Sequence, residues 1–296
     1  MASTYQGWQP TSRDTEILRV LDVLPLTAEQ LLKWSQRFPQ PFPEIGVLRR
    51  RLRKLSAAGL LKRFPLIVAS RGSTPYYYKL TPTGFRFLQQ SDEALPARKR
   101  AFSPIGPGLH YHARALSDFL VQTAVAADHS GVEFRQTHPE NAYRITVGDE
   151  TLQLDGRFTL TFAQLHRTYN VELDNSTETL LSTRDGDSIG RKIRLLDAYE
   201  AQFDRHDPRR SVTLFITTRS RRRMQHILET AARLVRNPER ALLYGVYLPE
   251  YLSLSEPLST ACFLDQRGKS LSLLPSLLMS QKSAGELPLA VAAAVC

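Results

Sequence analysis

The stretch Leu48-Arg49-Arg50-Arg51-Leu52-Arg53-Lys54-Leu55-Ser56-Ala57-Ala58-Gly59 decides how the rest of the chain is read. Leu48, Leu52 and Leu55 recur at helical spacing, so they share one face of a helix predicted from Glu44 to Ala58 and closed by Gly59. At about 100° per residue, Arg50, Arg53 and Lys54 project from the opposite face, with Arg49 and Arg51 flanking them. A basic face on a leucine-anchored helix suits a duplex groove. Arginine pairs bidentately with guanine edges, and every cation in the run can neutralise a phosphate. Alone, the run also reads as a solvated helix face, so the neighbouring segments have to decide.

Upstream, Ile17, Leu18, Leu21 and Leu24 mark a first helix with Thr11 or Ser12 as its cap, ended by Pro25. Thr27 caps a second, short helix through Leu31, Leu32 and Trp34, and the prolines between Phe38 and Pro43 make a loop. Downstream, a strand is expected at Leu66-Ile67-Val68-Ala69. A turn follows at Ser70 to Thr74 with Arg71 near its tip, then a second strand at Tyr76 to Leu80. Thr81-Pro82-Thr83-Gly84 opens another short helix through Phe85 and Leu88. Helix, helix, basic helix, hairpin, helix is the order of a winged helix-turn-helix. The string from Leu48 to Leu61, with Tyr78-Lys79-Leu80-Thr81-Pro82-Thr83-Gly84, resembles many prokaryotic winged-helix regulators. The predicted domain covers residues 11–90, and its DNA-binding set is Arg49, Arg50, Arg51, Arg53, Lys54 and Arg71.

The charge distribution agrees. The chain has 296 residues and a net charge of +10, and the whole excess lies in residues 1–110, which hold 17 Lys+Arg against 7 Asp+Glu. The remainder is balanced at 22 against 22. A segregated basic domain is the footprint of a polyanion binder, and charge alone does not separate nucleic acid from an anionic membrane. The two cysteines, Cys262 and Cys296, form no cluster with histidine at metal-ligand spacing, which fits a reducing cytosol. Met1 to Pro10 lacks an apolar signal core, and the apolar tail Leu287 to Cys296 is about half as long as a bilayer span requires. The expectation is a soluble cytoplasmic protein with no membrane partner.

Residues 91–109, with Pro96, Pro104, Pro107 and Arg98-Lys99-Arg100, read as a linker. A second domain is expected over 110–250. Its helices lie at His110 to Ala127, Ser188 to Phe203 and Arg221 to Val235. Its strands lie at Val132 to Gln136, Leu152 to Phe162, Tyr169 to Asp174, Ser211 to Thr218 and Ala241 to Leu248. That alternation predicts a mixed sheet with helices on its faces, so the whole chain is a two-domain α+β or α/β protein. Residues 251–296 form a tail with no usable motif.

Asp155 on one strand, Glu172-Leu173-Asp174 on the next and Lys192 on the following helix resemble the PD-(D/E)xK nuclease superfamily. The fuller pattern is Leu154-Asp155-Gly156-Arg157-Phe158, then Val171 to Leu180, then Arg191-Lys192-Ile193-Arg194-Leu195-Leu196-Asp197-Ala198-Tyr199. Together with His110 and a preceding winged helix, it resembles the replication-relaxation family of plasmid and mobile-element proteins. The resemblance covers about residues 11–250. It implies a restriction-endonuclease-like mixed sheet flanked by helices, with Asp155, Glu172, Asp174 and Lys192 at a catalytic site and Mg²⁺ or Mn²⁺ held by Asp155 and Glu172. Hard carboxylate oxygens suit such an ion, which accepts phosphate oxygens and activates water. A nearby lysine orients or deprotonates that water. Two departures stand out. Asp174 occupies the superfamily's usual lysine position two residues after the glutamate, with Lys192 able to supply the cation from the helix. Leu154 replaces the usual proline.

Other readings of these residues stay open. Asp174 to Glu178 can cap a following helix through Ser176 or Thr177, Asp155-Gly156 can be a turn, and Lys192 can be one exposed cation beside Arg191 and Arg194. Arg219 to Arg223 can be a solvated first turn or can track a phosphate backbone. His110 and His112 are two apart, a spacing that splays them on a helix. Double-stranded DNA is the expected partner, with replication or relaxase proteins and a homodimer as further possibilities. Functionally, a replication, relaxation or transfer protein with metal-dependent nicking stands first. A non-catalytic winged-helix transcription regulator with a relict nuclease fold for dimerisation or sensing stands second, and a restriction-like defence endonuclease third.

Overall fold

A computed structural model describes residues 10–68, 74–89, 102–136, 138–139, 141–162, 165–181, 188–204 and 206–274. The chain divides into two compact units, Met1–Val121 and Gln122–Cys296.

In the first unit, α1 (Ser12–Val23) starts at Thr11, whose backbone N–H donates to the Asp14 carboxylate at 2.5 Å. Leu24 and Pro25 end it, and β1 (Leu26–Thr27) follows. Helix α2 (Ala28–Trp34) is opened by a reciprocal capping box: the Gln30 N–H donates to the Thr27 hydroxyl at 3.2 Å, and the Thr27 N–H donates to Gln30 Oε1 at 2.8 Å. The basic stretch forms α3 (Ile45–Ala57), with Leu48, Leu52 and Leu55 fully buried. Gly59, at φ +72°, takes the left-handed conformation that lets Leu60 N–H close back on Leu55 C=O at 3.0 Å.

The chain then enters β2 (Leu61–Pro65), returns as β3 (Tyr76–Leu80) and ends in α4 (Pro82–Gln89). The sheet order is β1-β3-β2, all antiparallel. The first hairpin strand thus lies at residues 61–65, earlier than the expected 66–69. Directly after the Gly59 reversal, Leu61 pairs with Leu80 and Phe64 with Tyr77, which puts both apolar side chains inward at once. Arg71 lies outside the described residues. Gly84 is required sterically, because a Cβ there would sit 2.1 Å from the Leu60 carbonyl oxygen.

A 3₁₀ turn at Pro107–Leu109 leads into α5 (His110–His129), and the division between the units falls inside this helix. His110 is buried with both ring nitrogens engaged: Nδ1 accepts from the Ile67 N–H at 2.8 Å, and Nε2 faces the Ile105 carbonyl at 3.0 Å.

The second unit contains β4 (Glu133–Gln136), β5 (Arg144–Val147), β6 (Glu150–Gln153), β7 (Gly156–Phe162), β8 (Leu165–Asp174), α6 (Ile189–Glu200) and β9 (Ser211–Thr217). It continues with α7 (Arg221–Leu234), β10 (Leu243–Tyr247), α8 (Leu248–Ser253), β11 (Phe263–Asp265) and β12 (Ser270–Leu271). Seven strands form one sheet in the order β12-β11-β10-β9-β8-β7-β4. The strands β8, β9 and β10 are parallel, with α6 and α7 as crossovers, and the other pairs are antiparallel.

Two expectations are corrected here. The strand read as one run from Leu152 to Phe162 is two: β6 pairs only with β5 in a separate hairpin, and β7 joins the main sheet. The break falls at Leu154 and Asp155, where Leu154 N–H donates to Tyr143 C=O at 3.0 Å and its side chain enters the core. The sheet also continues past residue 250, because β11 and β12 add an antiparallel edge from the segment read as a tail. The core under α6 and α7 contains Leu154, Ile189, Ile193, Leu196, Phe215, Ile227 and Leu243.

Candidate functional site

In the second unit, the chemistry-bearing side chains gather where β7 begins and parallel β8 ends. Gly156 pairs with Val171, so Asp155 lies beside the Glu172 stretch of the neighbouring strand. One Asp155 carboxylate oxygen accepts the Leu173 backbone N–H at 2.7 Å. Asp155 is therefore more than a turn residue: it crosses to the neighbouring strand. Glu172 is 2% exposed, and its Oε2 accepts from the Lys192 ammonium at 2.9 Å. The same ammonium donates to Glu178 Oε1 at 2.9 Å. Lys192 reaches this position because Ser188 caps α6, accepting from Arg191 N–H at 3.2 Å, which sets the first helical turn over the end of β8. Its side chain is 15% exposed, so it is not one solvated cation among others. The oxygens Glu172 Oε1 and Glu178 Oε2 are buried with no hydrogen-bond partner among the described residues.

Burial, reinforced by the Asp155 carboxylate, pushes the Glu172 carboxyl up to about 8, with Lys192 pulling the other way. Burial alone would depress Lys192, but the carboxylates of Glu172 and Glu178 outweigh it and hold the amine as ammonium above its ordinary range. The sign for stability follows. Between the ordinary value of 4.5 and about 8, the folded protein keeps a proton on Glu172 that the unfolded chain has released. Stability contributed by this group therefore falls as pH rises through that window and levels off above it. Glu172→Gln should remove that slope. Thermal midpoints followed by circular dichroism from pH 5 to 9 check this, and an identical slope in both proteins would refute it.

Asp174, the residue at the lysine position of the superfamily pattern, is engaged elsewhere. Arg223 from the first turn of α7 grips it from Nε at 2.9 Å and Nη2 at 3.0 Å, and Nη2 also donates to the Glu178 carbonyl at 2.6 Å. Neither Ser176 nor Thr177 caps the following helix, since Ser188 performs that task for α6. Within the Arg219 to Arg223 cluster, Arg223 is committed to Asp174 and Arg221 pairs with Glu250, while Arg219 and Arg222 are exposed. Sequence reasoning missed Glu178 as a participant. Its signal was present, because it lies six residues after Glu172 in the string that carries the family resemblance. Among the described residues, no group of three or more His, Cys, Asp or Glu side chains is arranged to hold a metal ion.

In the first unit, α3 presents Arg49, Arg50, Arg53 and Lys54 to solvent. Arg49 shares its charge with Glu29 of α2 at 2.6 Å. Arg50, Arg53 and Lys54 make no ion pair among the described residues. Arg51, expected to flank that basic face, turns inward instead: its Nε and Nη2 both donate to Asp14 at the start of α1, and Nη2 reaches the Thr11 hydroxyl at 3.2 Å. Two further cations, Lys62 and Arg63, are exposed on β2. Arg63 lies 4.7 Å over the Tyr76 ring. Burial raises the Tyr78 hydroxyl pKa, and the nearby charges of Arg63, Arg49 and Arg53 oppose that rise, so cations from α3 and the hairpin converge on one patch. The signal for the β2 pair was two adjacent cations, Lys62 and Arg63, set between apolar Leu61 and Phe64.

No helix among the described residues is long and apolar enough to cross a membrane. Neither curated proteins nor solved structures yield a significant match. The family model described as replication-relaxation matches residues 19–213, about two-thirds of the chain. That match spans α3, Asp155, Glu172 and Lys192 together, and the chain belongs to the replication-relaxation family.

Proposed function

We propose that this protein binds duplex DNA through α3 and acts in the replication, relaxation or transfer of a plasmid or mobile element, with the second unit as a nuclease-like domain that nicks DNA. The observation that carries the reading is α3 itself. Three fully buried leucines fix one face, and Arg50, Arg53 and Lys54 stand on the other without an ion pair among the described residues. The order α1, α2, α3, hairpin, α4 supports a winged helix, with α3 entering the major groove and the hairpin reaching the backbone. Membership of the replication-relaxation family supports the replicon role.

The second unit supports a cutting role through its residue types. Mg²⁺ is commonly held by one or two carboxylates, completing its shell with water and substrate phosphate. Asp155 and Glu172 are such a pair, and Glu172 Oε1, which has no partner among the described residues, is an oxygen a cation would satisfy. A bound divalent ion would supply charge stabilisation at phosphorus and a more acidic water. The chain's own residues would hold that ion, keep Lys192 as an ammonium near the phosphate, and lock the end of β8 through Asp174 and Arg223.

Binding of the full chain to a duplex should weaken with salt, log K falling on log[salt] with a slope of about −0.9 per phosphate neutralised. Fluorescence anisotropy measures this, and the absence of affinity at low salt would end the reading. Supercoiled plasmid with Mg²⁺ or Mn²⁺ should become open-circular with wild type and remain supercoiled with Asp155→Ala or Glu172→Ala. Intact binding without nicking in all three proteins would leave a DNA-binding protein whose second unit is a scaffold.

A further inference from the structure

Glu172 and Glu178 share an arrangement that the nuclease pattern does not supply. Each gives one oxygen to the Lys192 ammonium at 2.9 Å, and each has its other oxygen buried without a donor among the described residues. Asp155 adds a third carboxylate beside Glu172, while Asp174 is separately neutralised by Arg223. One ammonium therefore bridges Glu172 and Glu178.

We propose that Lys192 is the resident counter-ion of this cluster, that a divalent cation reaches Glu172 only by displacing it, and that Glu178 is the post to which the displaced lysine stays attached. The proposal rests on the reading of Asp155 and Glu172 as the cation's ligands. An ammonium and a divalent ion compete for the same buried glutamate, because two cations beside one carboxylate repel each other strongly away from bulk water. Glu178 is suited to hold the lysine because its own position is set by backbone. Its carbonyl accepts from Arg223 at 2.6 Å, and the next residue, Thr179, bridges to Ser188 at the start of α6. The flexible four-carbon stem of lysine allows the ammonium to leave Glu172 while remaining on Glu178. Glu178 is thus a positioning residue: it keeps the cation close to the cluster without touching the metal.

Mn²⁺ titration calorimetry on the full chain tests this without any need for cleavage. Lys192→Gln keeps donors for both glutamates but removes the charge, and should bind Mn²⁺ about tenfold more tightly or better than wild type. Lys192→Met serves as a second neutral variant if circular dichroism shows that the glutamine variant does not fold. Glu178→Gln leaves Lys192 with Glu172 alone and should weaken Mn²⁺ binding several-fold in the wild-type background. It should have no effect in the Lys192→Gln background. An unchanged or weaker Mn²⁺ affinity in both neutral Lys192 variants overturns the proposal while leaving the metal reading standing. An equal effect of Glu178→Gln in both backgrounds makes Glu178 a ligand and overturns its role as a post. No Mn²⁺ binding by any variant removes the proposal and the metal reading together.

Discussion

Asp14→Ala should lower the unfolding free energy of the first unit by about 3–5 kcal/mol, the usual cost of removing one partner of a buried ion pair. Asp14 is 0% exposed, and its counter-ion Arg51 is 20% exposed, so removing the carboxylate leaves a guanidinium that water reaches poorly. The same carboxylate caps α1 by accepting from the Thr11 N–H and hydroxyl, a contribution of about 0.5–2 kcal/mol that Asp14→Asn should partly restore. Replacing Asp14 and Arg51 together with apolar residues of similar size should cost far less than either single change. Trp34 is buried in the first unit and residues 122–296 hold no tryptophan, so denaturant unfolding followed by the change in tryptophan emission follows the first unit. A loss below about 1 kcal/mol for Asp14→Ala would mean that the pair is no more than a surface salt bridge. The pair also ties the middle of α3 to the start of α1, so the proposed duplex-binding face of α3 should depend on it.

Arg50→Ala combined with Arg53→Ala should cost about 2–6 kcal/mol of duplex affinity if both arginines read base edges. Affinity then falls about 30-fold or more. If they hold phosphates instead, the magnitude of the salt slope should drop by about 2, because each arginine neutralises one phosphate and so accounts for about one unit of slope. Neither residue makes an ion pair among the described residues, so the double variant should unfold like wild type, and a binding defect cannot be assigned to misfolding. Equal affinity and equal salt slope would remove α3 as the DNA-contacting element. Lys62 and Arg63 on β2 would then be the next cations to replace, because Arg63 shares the Tyr78 environment with Arg49 and Arg53 of α3.

Much of this molecule is legible one residue at a time. The leucine spacing that defines α3, the Thr27 cap of α2, the Gly59 reversal and the Ser188 start of α6 depend on backbone periodicity and local hydrogen bonds, which neighbouring residues determine. The charge segregation and the ordered series Asp155, Glu172, Lys192 are also sequence properties, and the family match spans that series. The β6–β7 break was hidden because apolar alternation runs straight across Leu154 and Asp155. Only the partners show the division: β5 pairs with β6 on one side of the break, and β8 with β7 on the other. The β11–β12 edge was hidden for a similar reason, since strands of three and two residues are too short to show a period.

The assignment of partners belongs to the tertiary structure alone. Arg49, Arg50 and Arg51 are identical side chains in consecutive positions. Their fates diverge because each points about 100° from the last: one meets Glu29, one meets solvent, and one meets a buried Asp14 that lies 37 residues away. Likewise, Asp174 is committed to Arg223, 49 residues further along, and Lys192 is divided between two glutamates. The sequence by itself determined where α1 to α7 lie, which faces are apolar and where the charge lies, because these are short-range consequences of side-chain type; α8 (Leu248–Ser253) it did not show. Which charged groups neutralise one another was decided only when folding excluded water from them, since the strength of an ion pair depends on the burial and distance that distant segments impose.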